Sequence, residues 1–384
     1  MKPLSRAWLL LALVLAAINL RPGITSLAPL IERIAHELSL SRSLISLTTA
    51  LPVLCMGLLA PLAPRLAVRF GLERVVAACL GLIGVALLAR LGSHASEVLI
   101  GSAIFLGAGI AVAGPLLSGF IKRHFHDRMG RVVAWYSLSM TIGGAGGAVL
   151  TPPVTQWLGD QWHLGLAAWA LPAVLTALLW LCLPNQSDAT GEGESGGLPW
   201  TVPRAWLVTT LFALQAGLFY ALATWLVARY HEAGFSLLRS NSLFSLFMLV
   251  GVPSAFLLPW LAQRFDNRYL LLLLCSVVSS LCLAMITFQP TLLPEVWAAL
   301  LSLGLSGSFA LSMVLPLYEA GSPLAVSRWT AMMLCAGYSL GCLTPVLAGL
   351  GRDLAGNYQV PFMVITGLAL VMCVIAWRLG QGRR

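Results

Sequence analysis

Asn185-Gln-Ser-Asp-Ala-Thr-Gly-Glu-Gly-Glu-Ser-Gly-Gly-Leu-Pro-Trp-Thr-Val-Pro203 is the only long polar stretch in a chain of 384 residues, and it lies at the midpoint. So dense a run of Gly, Ser and Glu cannot pack a core and reads as a flexible linker. Directly after it, Arg204-Ala-Trp-Leu207 repeats the Arg6-Ala-Trp-Leu9 found near the start. Four more pairs follow in the same order: Ser43-Leu-Ile-Ser-Leu47 with Ser242-Leu-Phe-Ser-Leu246, Leu66-Ala-x-Arg-Phe70 with Leu261-Ala-x-Arg-Phe265, Tyr136-Ser-Leu138 with Tyr338-Ser-Leu340, and Leu150-Thr-Pro152 with Leu343-Thr-Pro345. In so Leu-rich a chain each match alone is weak. Five in order, with offsets only between 193 and 202, argue for a duplicated unit on either side of the linker.

What each unit contains follows from composition. Hydrophobic residues make up 59% of the chain and charged residues 10%, against roughly 25% charged in a soluble domain. Such a chain cannot cover a soluble core with charge, so its surface faces lipid. A helix crossing about 30 Å of hydrocarbon needs about 20 residues, and twelve apolar stretches approach that length. They fall at 7–31, 44–64, 74–92, 97–121, 131–153, 164–184, 204–228, 241–262, 268–288, 294–317, 327–349 and 359–379. The first resembles a signal peptide in having Lys2 and Arg6 before an apolar core. It runs on through Arg21-Pro22-Gly23, however, with eleven more stretches behind it, and is read as a mature helix. The expected fold is all-α: a polytopic membrane protein with six-helix bundles at 1–184 and 204–384, joined by the linker at 185–203. Two parallel six-helix repeats are one of the known transporter architectures.

The net charge of +9 is explained by orientation. The basic residues are scattered singly, with no patch to engage nucleic acid. With both termini on one side, the connections on that side hold sixteen Lys and Arg and the opposite connections six, which places both termini in the cytoplasm. One basic residue is then left inside the membrane: Arg21.

An ionisable group in mid-span is costly and marks a functional site by default. Pro22 and Gly23 loosen the helix beside Arg21. Helical spacing puts Arg21, Thr25, Ala28 and Glu32 on one face, with Asn19, Gly23 and Ser26 adjoining. The guanidinium is a fixed fork of donors suited to a small planar anion, with Asn19 and Thr25 as polar neighbours. The competing roles for Arg21 are snorkelling to the interface and a structural tie to Glu32. An offset of 198 sets Arg21 against Phe219 and Tyr220 in the seventh span, and Gln215, Tyr220 and Trp225 are candidates for a facing wall. Trp225 also reads as an interface anchor. Tyr136 and Tyr338, matched by the repeat, are candidates from the fifth and eleventh spans. Glycine clusters at 143–147, at 107–114 and at Gly337-x-x-x-Gly341 precede prolines and suit close helix approach and bending.

Other chemistry is missing from the pattern. Every acidic residue and all six His lie in loops or near helix ends, so no carboxylate stands at mid-membrane as a proton carrier. The two lysines, Lys2 and Lys122, sit in no phosphate-loop context. The eight Cys fall in apolar runs without metal-ligand spacing, and His124 with His126 lacks a third ligand. No cofactor or metal is expected, and an enzyme or a receptor is disfavoured because positioned acid–base groups and a soluble output domain are both lacking. A monomer acting on a small-molecule or small-anion substrate within the lipid bilayer is the expectation.

The stretch Asn19-Leu-Arg-Pro-Gly-Ile-Thr-Ser-Leu-Ala-Pro-Leu30 resembles the opening signature of the CynX-type cyanate transporters and the related 2-nitroimidazole exporters, a branch of the major facilitator superfamily. Shorter similarities continue at Leu51-Pro52, Met56-Gly57, Ile121-Lys-Arg123, Trp169-Ala-Leu-Pro172, Tyr220-Ala-Leu222, Thr224-Trp-Leu226 and Gly337-Tyr338. The resemblance implies twelve helices, a bacterial inner-membrane location and a small, often anionic or polar substrate; its alternative is export of drug-like aromatic compounds. The loop after the second helix departs from the superfamily pattern: Val68 precedes Arg69-Phe-Gly71 where an Asp is usual, and Gln263 precedes Arg264-Phe-Asp266. Arg69 with Glu73 is the expected local substitute, while Lys122, Arg123 and Arg264 are assigned to gating or topology at the cytoplasmic ends.

Overall fold

The structure is a computed structural model describing residues 5–93, 95–125, 128–184, 198–265, 267–320 and 323–381. Lys2, His94, His126, Asp266, the linker through residue 197 and the last three residues lie outside the described residues. Among those described, the chain is helical without strands, and twelve helices are long and apolar enough to cross a membrane. They are Arg6–Glu37, Arg42–Leu59, Leu72–Gly92, Ser96–His124, Arg131–Trp157, Trp162–Leu181, Pro203–Glu232, Leu237–Ala262, Arg268–Phe288, Pro294–Pro316, Arg328–Ala355 and Gln359–Gln381, called the first to twelfth spans. A short amphipathic helix, Leu62–Phe70, joins the second span to the third.

Packing groups the residues into two compact units: Met1–Leu38 with Leu54–Glu194, and Ser39–Val53 with Ser195–Arg384. Division of the sequence at the linker and division by packing therefore differ in Ser39–Val53, the start of the second span. Pro52 lies inside that helix, next to the change of unit. Within the second unit, Asp353 accepts the backbone N–H groups of Arg42 and Ser43, each at 2.9 Å, and the Ser43 hydroxyl at 2.8 Å. A carboxylate there satisfies donors that the first turn of a helix leaves free. The hydroxyls of Thr49 and Thr224 meet at 2.9 Å, and a Cβ on Gly349 would stand 2.5 Å from the Arg42 carbonyl oxygen.

The first span is broken where Pro22 and Gly23 predict. One helix covers Arg6–Asn19, a single turn Pro22–Thr25, and a further helix Ile31–Glu37. Pro22 offers no N–H to the Ile18 carbonyl, and the fifth span comes close at that point. A Cβ on Gly143 would collide with the Ile18 carbonyl oxygen, and one on Gly147 would collide with Thr25 Oγ1 and stand 2.8 Å from Pro22 Cα. In the second unit the seventh and eleventh spans meet through small residues in the same manner: a Cβ on Gly341 would stand 3.1 Å from the Ala213 oxygen, and Gly217 lies against Thr344. Gly143, Gly147 and Gly341 thus mark where backbones approach closely. Because the Gly143 contact is with backbone, Gly143→Ala cannot be relieved by a rotamer change. It is expected to cost about 1–3 kcal/mol through overpacking, read as a lower melting temperature of the purified protein. An unchanged melting temperature would contradict that packing.

Candidate functional site

The break in the first span is tied by hydrogen bonds within the span and by single groups of the third and sixth spans. The Arg21 carbonyl accepts the N–H groups of Ile24 at 3.0 Å and Thr25 at 3.2 Å, together with the Thr25 hydroxyl at 3.3 Å. The Asn19 amide donates to the Leu15 carbonyl at 2.8 Å and to Thr176 Oγ1 of the sixth span at 3.0 Å. Asn19 and Thr25 are both buried. The Thr25 hydroxyl closes the turn and the Asn19 amide anchors the helix before it, and the Arg21 backbone lies just outside the turn at φ −115°.

Arg21 itself is half-buried, as is Tyr136 on the fifth span. The Arg21 charge lies within electrostatic reach of the Tyr136 hydroxyl. Two of the sequence-derived candidates, a guanidinium and a phenol, thus lie within electrostatic reach of each other in the first unit. Both can donate hydrogen bonds to an anion.

In the second unit, Tyr220 and Tyr338 belong to one aromatic group, and Gln215 is buried on the same helix as Tyr220. Tyr338 lies edge-on to Phe212 at 5.0 Å and to Tyr220 at 6.5 Å, and Phe219 contacts Tyr220 at 5.4 Å and Phe247 at 6.2 Å. Gln215 donates Nε2 to the Leu305 carbonyl at 3.1 Å, while its buried Oε1 has no hydrogen-bond partner. Trp225 is not an interface anchor: it is fully buried, with Nε1 donating to the Pro345 carbonyl at 2.9 Å. Hydropathy cannot separate a tryptophan at a lipid boundary from one inside the bundle.

The connection after the second span holds a correction. Arg69 does not pair with Glu73; it is exposed on the joining helix, with its guanidinium 5.1 Å from the Phe70 ring. Glu73 opens the third span on its buried side, at 2% exposure, where Arg123 Nη1 approaches Oε1 to 3.1 Å and His124 Nε2 to 3.8 Å. The direction a helix end faces decides the pairing, and sequence proximity does not. Lys122 is exposed. Arg264 is exposed too, 5.5 Å from the Trp260 ring.

Sequence reasoning missed several groups. Glu319 at the end of the tenth helix is buried under a bidentate pair with Arg204, its Oε1 lying 3.1 Å from Arg204 Nη2. Tyr269 donates to the same carboxylate, and Arg204 also reaches the Leu379 carbonyl at 3.1 Å. Four helices of the second unit are tied at this point. Arg90, counted among the six basic residues of the connections opposite the termini, is fully buried at 0% exposure. Its Nη1 donates to the Gly23 carbonyl, inside the break, at 2.9 Å. Nothing in the sequence distinguishes it from the exposed arginines at other helix ends.

Comparison with known proteins agrees with this architecture. The sequence profile of the Major Facilitator Superfamily matches residues 9–341. The cyanate transport protein CynX of Escherichia coli K12 is 34% identical over 370 residues, covering 94% of this chain and 96% of that protein. The 2-nitroimidazole transporter of the same organism is 27% identical, covering 99% and 97%. Among solved structures, the nucleoside transporter NupG superimposes with a TM-score of 0.76 at 14% identity, over 98% of this chain and 98% of that one. That last likeness is one of fold.

Proposed function

The chain belongs to the major facilitator superfamily and is a multi-pass membrane transporter, and from that premise we propose that it moves a small anion of the cyanate class across a bacterial inner membrane by alternating access. The observation that carries this reading is the half-buried Arg21 at the break of the first span, its charge within electrostatic reach of Tyr136 on the fifth. A guanidinium in that position offers paired donors to a compact anion, and the phenol adds a third. Asn19 and Thr25 position the turn that presents it. Gln215, Tyr220 and Tyr338 are proposed as the substrate-facing residues of the second unit. The topology read from the charges accompanies the proposal: two six-helix halves, a cytoplasmic linker at 185–203 and both termini in the cytoplasm.

Electrostatics bounds the direction of net flow. Carrying one negative charge inward against an inside-negative potential costs about 2.3 kcal/mol per 100 mV. Import of a bare anion therefore requires exchange, a proton carried with it, or consumption inside the cell.

A second reading is export of nitroaromatic compounds, favoured by the aromatic group of Phe212, Phe219, Tyr220, Phe247 and Tyr338. Proteoliposomes assayed with labelled cyanate and a nitroimidazole side by side separate the two. The anion reading expects saturable cyanate uptake; carriage of the bare anion speeds up when the lumen is made positive, whereas exchange or uptake with a proton does not. Saturable flux of the nitroimidazole alone would transfer the assignment to the second reading.

A further inference from the structure

Arg90 is the fully buried arginine at the end of the third span. Nη1 reaches the Gly23 carbonyl at 2.9 Å, and Nε reaches Ser102 Oγ at 3.3 Å. The Ser102 hydroxyl spends its own proton on the Leu99 carbonyl at 2.7 Å. Both partners of Arg90 are therefore neutral acceptors. Nη2 is buried with no hydrogen-bond partner, and no carboxylate pairs with this guanidinium among the described residues. Arginine cannot shed its proton at any physiological pH, so the charge stays. A buried charge without a counter-charge is strongly disfavoured.

The second unit shows how such an arginine is normally neutralised. Arg229, also buried at a span end, donates Nη2 to the Thr287 carbonyl at 2.8 Å, and it has Glu232 Oε2 at 3.6 Å from Nη1. In the first unit the backbone tie is present and the carboxylate is missing.

The surroundings of Arg90 add donors. Its turn, Arg90–Gly92, is capped by Ser93 and packs against the short helix Trp162–Ala167 that opens the sixth span. Ser93 Oγ and Trp162 Nε1 are buried without partners, as is Ser26 Oγ at the end of the turn whose Gly23 carbonyl Arg90 holds. An indole N–H only donates. On these packed elements Arg90 Nη2 and Trp162 Nε1 can only donate, and the Ser93 hydroxyl can donate as well, a set that suits an anion and not a cation or an apolar group.

We propose that this corner of the first unit, built from Arg90, Ser93 and Trp162 with the Gly23 turn behind it, binds a small monovalent anion of chloride size as a structural counter-ion. One uncompensated charge calls for one negative charge, and burial favours a small ion over a large one. The site is separate from Arg21 and does not depend on what the protein transports. By fixing the Gly23 peptide through Arg90, a bound anion would stiffen the break that carries Arg21.

The test is thermal unfolding of the purified full chain at fixed ionic strength, with sodium gluconate replaced stepwise by sodium chloride. Chloride is expected to raise the melting temperature saturably by about 3 °C or more. The same increment is expected in Arg21→Ala, and none in Arg90→Gln, whose neutral amide needs no counter-ion. Indifference of the wild-type protein to chloride, or a full increment in Arg90→Gln, would overturn the proposal. Loss of the increment in Arg21→Ala would move the anion to the transport site. Should Arg90→Gln fail to fold, crystals of the wild-type protein grown in bromide decide the matter by anomalous scattering. A peak within hydrogen-bond distance of Arg90 Nη2 supports the site, and a map without one there refutes it.

Discussion

Replacing Arg21 by Ala is expected to lower cyanate uptake (kcat/KM) by about 30- to 150-fold, corresponding to about 2–3 kcal/mol. This is the lower part of the range for removing one partner of a hydrogen-bonded charge pair, chosen because Arg21 is half-buried. The turn is held by the Arg21 backbone carbonyl and by Asn19 and Thr25, which the substitution leaves in place. Arg21→Ala should accordingly purify as a monodisperse protein with a near-normal melting temperature. Arg21→Lys keeps the charge but not the fork and should sit between the two, losing roughly tenfold. Cyanate flux unchanged in a well-folded Arg21→Ala protein would remove Arg21 from the site. Tyr136→Phe supplies a finer control, because it keeps the ring and takes away only the hydroxyl.

The second large effect is on stability. In Arg204→Ala the Glu319 carboxylate, 2% exposed, keeps Tyr269 but loses its charged partner. Removing one member of a buried pair costs about 3–5 kcal/mol; Arg204 is 29% exposed, so the lower end applies. A drop in melting temperature of about 6–12 °C follows for a unit of this size. The double variant Arg204→Met with Glu319→Leu should recover most of that drop, because it leaves no buried charge behind. If the single variant melts like the wild type, the pair does not tie the four helices together.

The spans were legible because burial in lipid imposes a length and a composition that few soluble segments imitate. The break at Arg21 was legible for a similar reason: Pro22 removes a donor and Gly23 a side chain, so the chain can be seen to fail as a helix there. What escaped was direction. Arg90, Arg229, Glu73 and Glu319 all stand at helix ends, where the sequence predicts solvent or headgroups, and all face inward in the structure. Charge counting assigns a residue to one end of a helix and cannot say which side of the helix it occupies. Arg69 and Glu73, four residues apart, illustrate the cost of that blindness, since one is exposed and the other is matched by Arg123, 50 residues further on. The same ambiguity applies to polar groups of the candidate site. Asn19 reads as a ligand by composition, yet its amide is committed to Leu15 and Thr176.

The second span has a genetic consequence. The linker looks like the place to divide this protein into two separately encoded pieces, and a cut there splits the sequence almost evenly. It does not split the folding units evenly. The downstream product would carry Asp353, Gly349 and Thr224 but lack Ser39–Val53, the segment they hold. The unit read from the repeat in the sequence and the unit formed by packing thus differ by the start of the second span, and a cut at the linker would part that segment from the residues that hold it.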